Sequence, residues 1–203
     1  MIEAIGVLEI ESIAAGVEVA DAMAKMAPVE FVDAFMVTPG KYVVVVHGDP
    51  SSVESSVERG REVAGGTLVD SLVIPFLHPQ VLPALRRTVA VPELGALGLV
   101  ETSSVTSGVR AADDAAKAAG VQLVHLHLGR GIGGKSILLL CGELPEVQAA
   151  VESAATRAGA AGRLLATRVI PQPHADLVTR LQNGLDRFEV AGRAPAASPG
   201  EAS

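Results

Sequence analysis

The sequence predicts an α+β protein made of two tandem domains, each with the element order β-α-β-β-α-β. Three observations carry this reading. The first half of the chain returns in the second: Ala4-Ile5-Gly6-Val7-Leu8-Glu9 reappears as Ala96-Leu97-Gly98-Leu99-Val100-Glu101, an offset of 92 residues. Short apolar runs alternate with stretches in which apolar residues recur at helical spacing. Gly, Pro and Asp stand where these runs start and stop. The offset of 92 also joins Ser12 to Ser104, Asp21 to Asp113, Lys25 to Lys117 and Val29 to Val121. Gly40-Lys41 matches Gly134-Lys135 at 94, and Ile74-Pro75 with His78 matches Ile170-Pro171 with His174 at 96. The small insertions therefore fall in loops. The domains run from 1 to 88 and from 95 to 182, with a boundary around Val91-Pro92. Residues 183–203 turn to Ala, Pro, Gly and Ser and read as a flexible tail.

Ala4–Glu9 is a short apolar run, a strand. Ser12–Met26 places Ile13, Val17, Ala20 and Ala24 on one helical face, so an exposed amphipathic helix follows, with Lys25 near its end. Glu30–Val37 and Tyr42–His47 are strands joined as a hairpin by Thr38-Pro39-Gly40-Lys41. Asp49 before Pro50 starts the second helix, a capping carboxylate followed by a ring that fits the first turn. Gly65-Gly66 stops it after Ala64, and Leu68–Ile74 is the last strand, ended by Pro75. The second half repeats the order, with Lys117 matching Lys25 and Pro145 in the first turn of its second helix. The result is the ferredoxin-like, split β-α-β arrangement, an antiparallel sheet with helices packed on it. Val43–Val46 and Ile137–Cys141 place apolar side chains on both faces of their sheets, because side chains alternate along a strand. A two-layer domain covers one face only. The other is covered by the sister domain or by another subunit, and either favours a compact assembly over a lone monomer.

Composition removes several function classes. Of 203 residues 49% are hydrophobic, 19% charged and 2% aromatic, with no Trp and one Tyr. A formal charge of −7 and the scarcity of aromatics argue against nucleic acid as a partner, whether held by phosphates or by base stacking. The longest apolar runs are far shorter than the roughly 18 residues that span a bilayer, so no membrane association is predicted. A single Cys excludes an internal disulfide and, with no leading signal segment, points to a reducing, cytoplasmic setting.

The chemical motifs are weak. Gly129 to Ser136 fits the phosphate-loop pattern G-x-x-x-x-G-K-S letter for letter. That loop must lead from a strand into a helix, whereas here Ile137–Cys141 follows, a strand-like run. The better reading is a Gly-rich hairpin loop whose backbone passes close to something. His125 and His127 share a strand face without a third ligand at a recognisable spacing, so no metal site is predicted. His78 with His174, and Glu9 with Glu101, are repeated at equivalent positions and read as structural or interfacial. No nucleophile–base pair stands out, so the chain does not read as an enzyme.

Taken in order and twice over, these residues resemble a known family. Gly6-Val7-Leu8-Glu9, Asp21 to Lys25, Pro39-Gly40-Lys41 and Ile74-Pro75 look like the bacterial microcompartment shell domain. The second copy carries Gly98 to Glu101, Asp113 to Lys117, Gly131 to Lys135 and Ile170 to His174. Both copies keep the unpermuted element order, and the pattern is most similar to tandem-domain, trimeric shell proteins of the propanediol-utilisation T type. The resemblance implies a homotrimer mimicking a hexamer, which tiles with other hexameric and pentameric shell proteins around a cytoplasmic compartment. Val37, Thr38, Pro39, Gly40 and Lys41 would then line a central pore together with Arg130, Gly131, Ile132, Gly133, Gly134 and Lys135. Lys41, Arg130 and Lys135, with no acid in either loop, favour small polar or anionic metabolites. Ile132 could also plug the opening, in which case the trimer is a closed tile or a gate. Lys25 and Lys117 match edge lysines, while Phe76 and Gln172 stand where single-domain members often have Arg. Some members carry Cys before Pro-Gly-Lys and hold an iron–sulfur cluster on the axis. Here Thr38 replaces it, and Cys141 lies six residues beyond Lys135, about 20 Å along a strand. No cofactor is expected. A second reading, a tandem small-ligand-sensing regulatory protein on the same kind of domain, stays open on sequence.

Overall fold

The structure, a computed structural model, describes residues 3–86, 89, 95–177 and 181. The boundary at Val91-Pro92 and the tail 183–203 lie outside the described residues. The first domain contains β1 (Ala4–Ile10), α1 (Ile13–Met26), β2 (Glu30–Val37), β3 (Lys41–Gly48), α2 (Pro50–Ala64) and β4 (Leu68–Ile74). A short helix, α3 (Val81–Arg86), leads out of it. The second contains β5 (Ala96–Thr102), α4 (Val105–Ala118), β6 (Gln122–Leu128), β7 (Ser136–Gly142), α5 (Leu144–Ala160) and β8 (Leu164–Ile170). Their sheets have the orders β2-β3-β1-β4 and β6-β7-β5-β8, antiparallel throughout.

Local chemistry accounts for the element ends. Ser12 and Ser104 cap α1 and α4 by accepting from Ala15 N and Ser107 N. Asp49 caps α2, and hydrogen bonds from Ser52 and Ser51 hold its carboxyl down at about 2. Two glycines place strand against helix: a Cβ on Gly6 would lie 2.5 Å from Val57 Cγ2, and one on Gly98 2.8 Å from Val151 Cγ2.

The packing settles what covers the first sheet. One face, with Leu8, Ile10, Val44 and Val46, packs on Val19, Met23, Val53 and Val57 of its own helices. The opposite face, with Ile5, Val7, Val43, Val45 and Leu72, joins Val105, Val109 and Ala112 of α4 in a core continuous with the second domain. The sister domain is therefore the cover, and α4 lies between the two sheets. This corrects the expectation that Lys117 ends an exposed helix. α3 was not anticipated. It packs over β6, and Gln80 just before it satisfies that edge strand by donating to Val121 O (3.0 Å) and accepting from Leu123 N (2.8 Å).

Candidate functional site

The two hairpin loops meet at one end of the molecule. The first turns at Thr38, Pro39 and Gly40, all exposed, with a cis Thr38–Pro39 bond and Gly40 N donating to Val37 O at 2.8 Å. Val37 below them is buried, and Lys41 opens β3. The second loop runs from Gly129 to Lys135 and closes with Gly129 N donating to Lys135 O at 2.8 Å. Ser136 then opens β7, so this loop joins strand to strand and is not a nucleotide phosphate loop. Its backbone does pass close to something. Gly129 has φ +67°, and a Cβ there would lie 2.9 Å from Val37 Cγ2, so the second loop rests directly on the first. Gly134 lies against the same side, near Thr38 O. Gly131, Gly133 and Lys135 are exposed and Ile132 is half-buried.

Each basic residue here has a carboxylate partner. Arg130 Nη2 donates to both carboxylate oxygens of Asp33 at 2.7 Å, and its guanidinium sits 4.3 Å from the centre of the Phe35 ring. Lys41 Nζ lies 3.3 Å from Glu9 Oε2, and Lys135 Nζ 2.8 Å from Glu101 Oε1. The loops contain no acid, as the sequence says, yet strands β1, β2 and β5 bring acids to them. Asp33 and Phe35 escaped sequence reasoning, since Asp33 lies 97 residues from its arginine.

Glu9 does more than hold Lys41. Its Oε1 accepts from Val105 N at 2.8 Å and Thr106 N at 3.1 Å, the first amides of α4, which have no partner inside the helix. Thr106 Oγ1 also donates to Asp70 Oδ2 at 2.6 Å. The repeated glutamate, read from sequence as structural, is thus the clamp that seats α4 on the first sheet.

The two lysines matched to an edge sit in unlike settings. Lys25 is exposed and pairs with Asp21 at 2.5 Å. Lys117 Nζ donates to Asp113 Oδ2 and to Phe76 O, both at 2.6 Å, and Asp113 Oδ1 accepts from His78 N at 2.8 Å. Lys117 therefore marks the seam between the domains, beside an exposed Phe76.

The histidines form no metal site: among the described residues no group of three or more His, Cys, Asp or Glu is placed to hold an ion. His125 and His127 lie with ring centres 5.9 Å apart, and His127 Nε2 is 2.6 Å from Arg130 O. Cys141 is buried opposite Leu97 and Gln122, at the end of β7 away from the loop, and burial pushes its thiol up to about 11. A thiol there does not fit a cluster on the loops. Among the described residues no helix is long and apolar enough to cross a membrane.

Comparison with known proteins agrees with the repeat. The BMC domain family model matches twice, over residues 4–77 and 96–173. The bacterial microcompartment shell protein PduT of Citrobacter freundii is 41% identical over 184 residues, covering 91% of this chain and all of that protein. PduA of Salmonella typhimurium, also a bacterial microcompartment shell protein, is 36% identical over 93 residues, which span 45% of this chain and 96% of its own. A crystal structure of a microcompartment protein from Desulfitobacterium hafniense superposes with a TM-score of 0.84 at 42% identity, covering 88% of this chain and 99% of that one.

Proposed function

We propose, from the premise that this chain belongs to the family of bacterial microcompartment shell proteins built on the BMC domain, that it forms a homotrimeric tile with a central pore. The chain is a shell protein, and the relatives it matches are shell proteins rather than enzymes. The finer reading rests on one observation. Val105 and Val109 of α4 are wholly buried against the first sheet, while their repeat equivalents on α1, Ile13 and Val17, are 38% and 55% exposed. The counterpart face of the second sheet is likewise incompletely covered at Leu99, Ile137 and Ile170. The chain thus ends each way in half of the same head-to-tail contact. A contact that uses different surfaces on its two sides closes into a ring or runs on as a fibre. Six equivalent domains in three chains give the closed hexagonal outline that a flat layer requires.

In that ring the hairpin loops meet around the axis. Small polar or anionic solutes fit a rim of balanced ion pairs and exposed glycine turns, whose backbone N–H groups favour negative charge. Lys25 and Lys117 would serve contacts to neighbouring hexameric and pentameric shell proteins. No iron–sulfur cluster is held at the pore, because Thr38 offers a hydroxyl and Cys141 is buried elsewhere. Native mass spectrometry at micromolar concentration is expected to give a trimer. Electron microscopy with a hexameric shell partner is expected to give mixed sheets. A clean monomer would overturn the reading.

A further inference from the structure

The internal repeat turns the seam inside the chain into a map of the seam between chains, and the residues that differ between the two are informative. Inside the chain, α4 lies on the outer face of the first sheet. Arg110 projects beside β4, with Nη2 3.5 Å from Val73 O, into a groove of about 190 Å³ that Asp70, Leu72 and Thr106 also line. By the repeat offsets, Arg110 corresponds to Glu18 on α1 and Leu72 to Arg168 on β8. A basic–apolar pair in the filled seam becomes an acidic–basic pair in the open one. Glu18 and Arg168 are both exposed, and neither takes part in an ion pair among the described residues. The polar pair Thr106–Asp70 becomes Ala14 and Ala166, so the two seams differ at both sites.

Resting on the trimer reading, we propose that Glu18 of one protomer pairs with Arg168 of the next, and that this pair holds the ring closed at the seam between chains. Glu101 completes the seam. Its counterpart Glu9 holds a lysine with one oxygen and the first amides of α4 with the other. Glu101 already holds Lys135 through Oε1, and the first amides of α1, at Ile13 and Ala14, stand at the matching place on the open surface.

The test uses the full chain in four forms: unaltered, Glu18→Arg, Arg168→Glu, and both together. Light and isotopically heavy preparations of each form are mixed, and native mass spectrometry follows subunit exchange. Each single change is expected to speed exchange about tenfold or more, and the double change to return it to within about threefold of the unaltered rate. Circular dichroism checks that every form is folded, and the rescue in the double variant cannot come from misfolding. Single changes without effect, or a double variant as fast as the two singles combined, would overturn the pairing while leaving the trimer in place. An unaltered chain that never forms a trimer would instead remove the ring itself, and the pairing with it.

Discussion

Glu9 and Glu101 are the same residue in two copies, and their environments diverge. The Glu9 side chain is 1% exposed and that of Glu101 34%. The difference is α4, whose first two amides converge on Glu9 Oε1. Removing that carboxylate leaves buried donors and the Lys41 ammonium without an acceptor, and breaking a buried charged contact from one side costs about 3–5 kcal/mol. Glu9→Ala is therefore expected to lower the unfolding free energy by about 3 kcal/mol. Glu9→Gln, which keeps an amide oxygen for the α4 N–H groups, costs about 1–2 kcal/mol. Urea denaturation of the two variants checks the order, and equal losses would mean that Glu9 acts through volume rather than through its acceptors.

At the scale of elements, local patterning was most readable where one segment decides its own state. β4 and α2 fall where Gly65-Gly66, Pro75 and Asp49-Pro50 put them, and the Gly-rich loop leads into a strand as Ile137–Cys141 required. α3 was missed because Val81–Arg86 is too short for periodicity, contains Pro83 and exists through its packing on β6. The partners of the loop cations are not legible either, because strand register sets them and register is not local. The sequence leaves the cover over the first sheet open between sister domain and second subunit, because an apolar strand records that it is buried, not by what. Gly6 and Gly98 show the local logic at its tightest. Both face a helix with a helix side chain at 2.5 and 2.8 Å from any added Cβ, so overpacking rather than backbone strain opposes substitution. Gly6→Ala is expected to cost about 1–3 kcal/mol, a fall of several degrees in melting temperature for a chain of this size. Gly66→Ala, with nothing within 4 Å of the added carbon, serves as the control and should stay within about 0.5 kcal/mol. Equal melting temperatures would show that the strand can shift away from its helix at little cost.

For the whole molecule, the proposed ring would place three copies of each loop ion pair around one axis. The Arg130–Asp33 pair is the most useful of these, because it joins the second loop to the first domain and is partly open to solvent, with the two side chains 40% and 36% exposed. In the intact ring its charges cancel. Asp33→Asn would leave three uncompensated guanidinium groups, each still stacked on Phe35, and Arg130→Ala would leave three uncompensated carboxylates. A charge about 7 Å from the path attracts a monovalent ion of opposite sign by about 0.6 kcal/mol in water. Screening at physiological salt, with a Debye length of about 8 Å, brings the effect of three such charges to about 0.7 kcal/mol. Entry of anions into assembled shells should therefore rise about threefold and that of cations fall about threefold with Asp33→Asn, a change of about tenfold in their ratio, and the ratio should move as far the other way with Arg130→Ala. Opposite shifts from two changes on one ion pair are hard to obtain from loosened packing, which would raise or lower both ions together. Unchanged ratios in both variants would mean that solutes do not pass these loops, and the pore would have to be sought elsewhere in the tile.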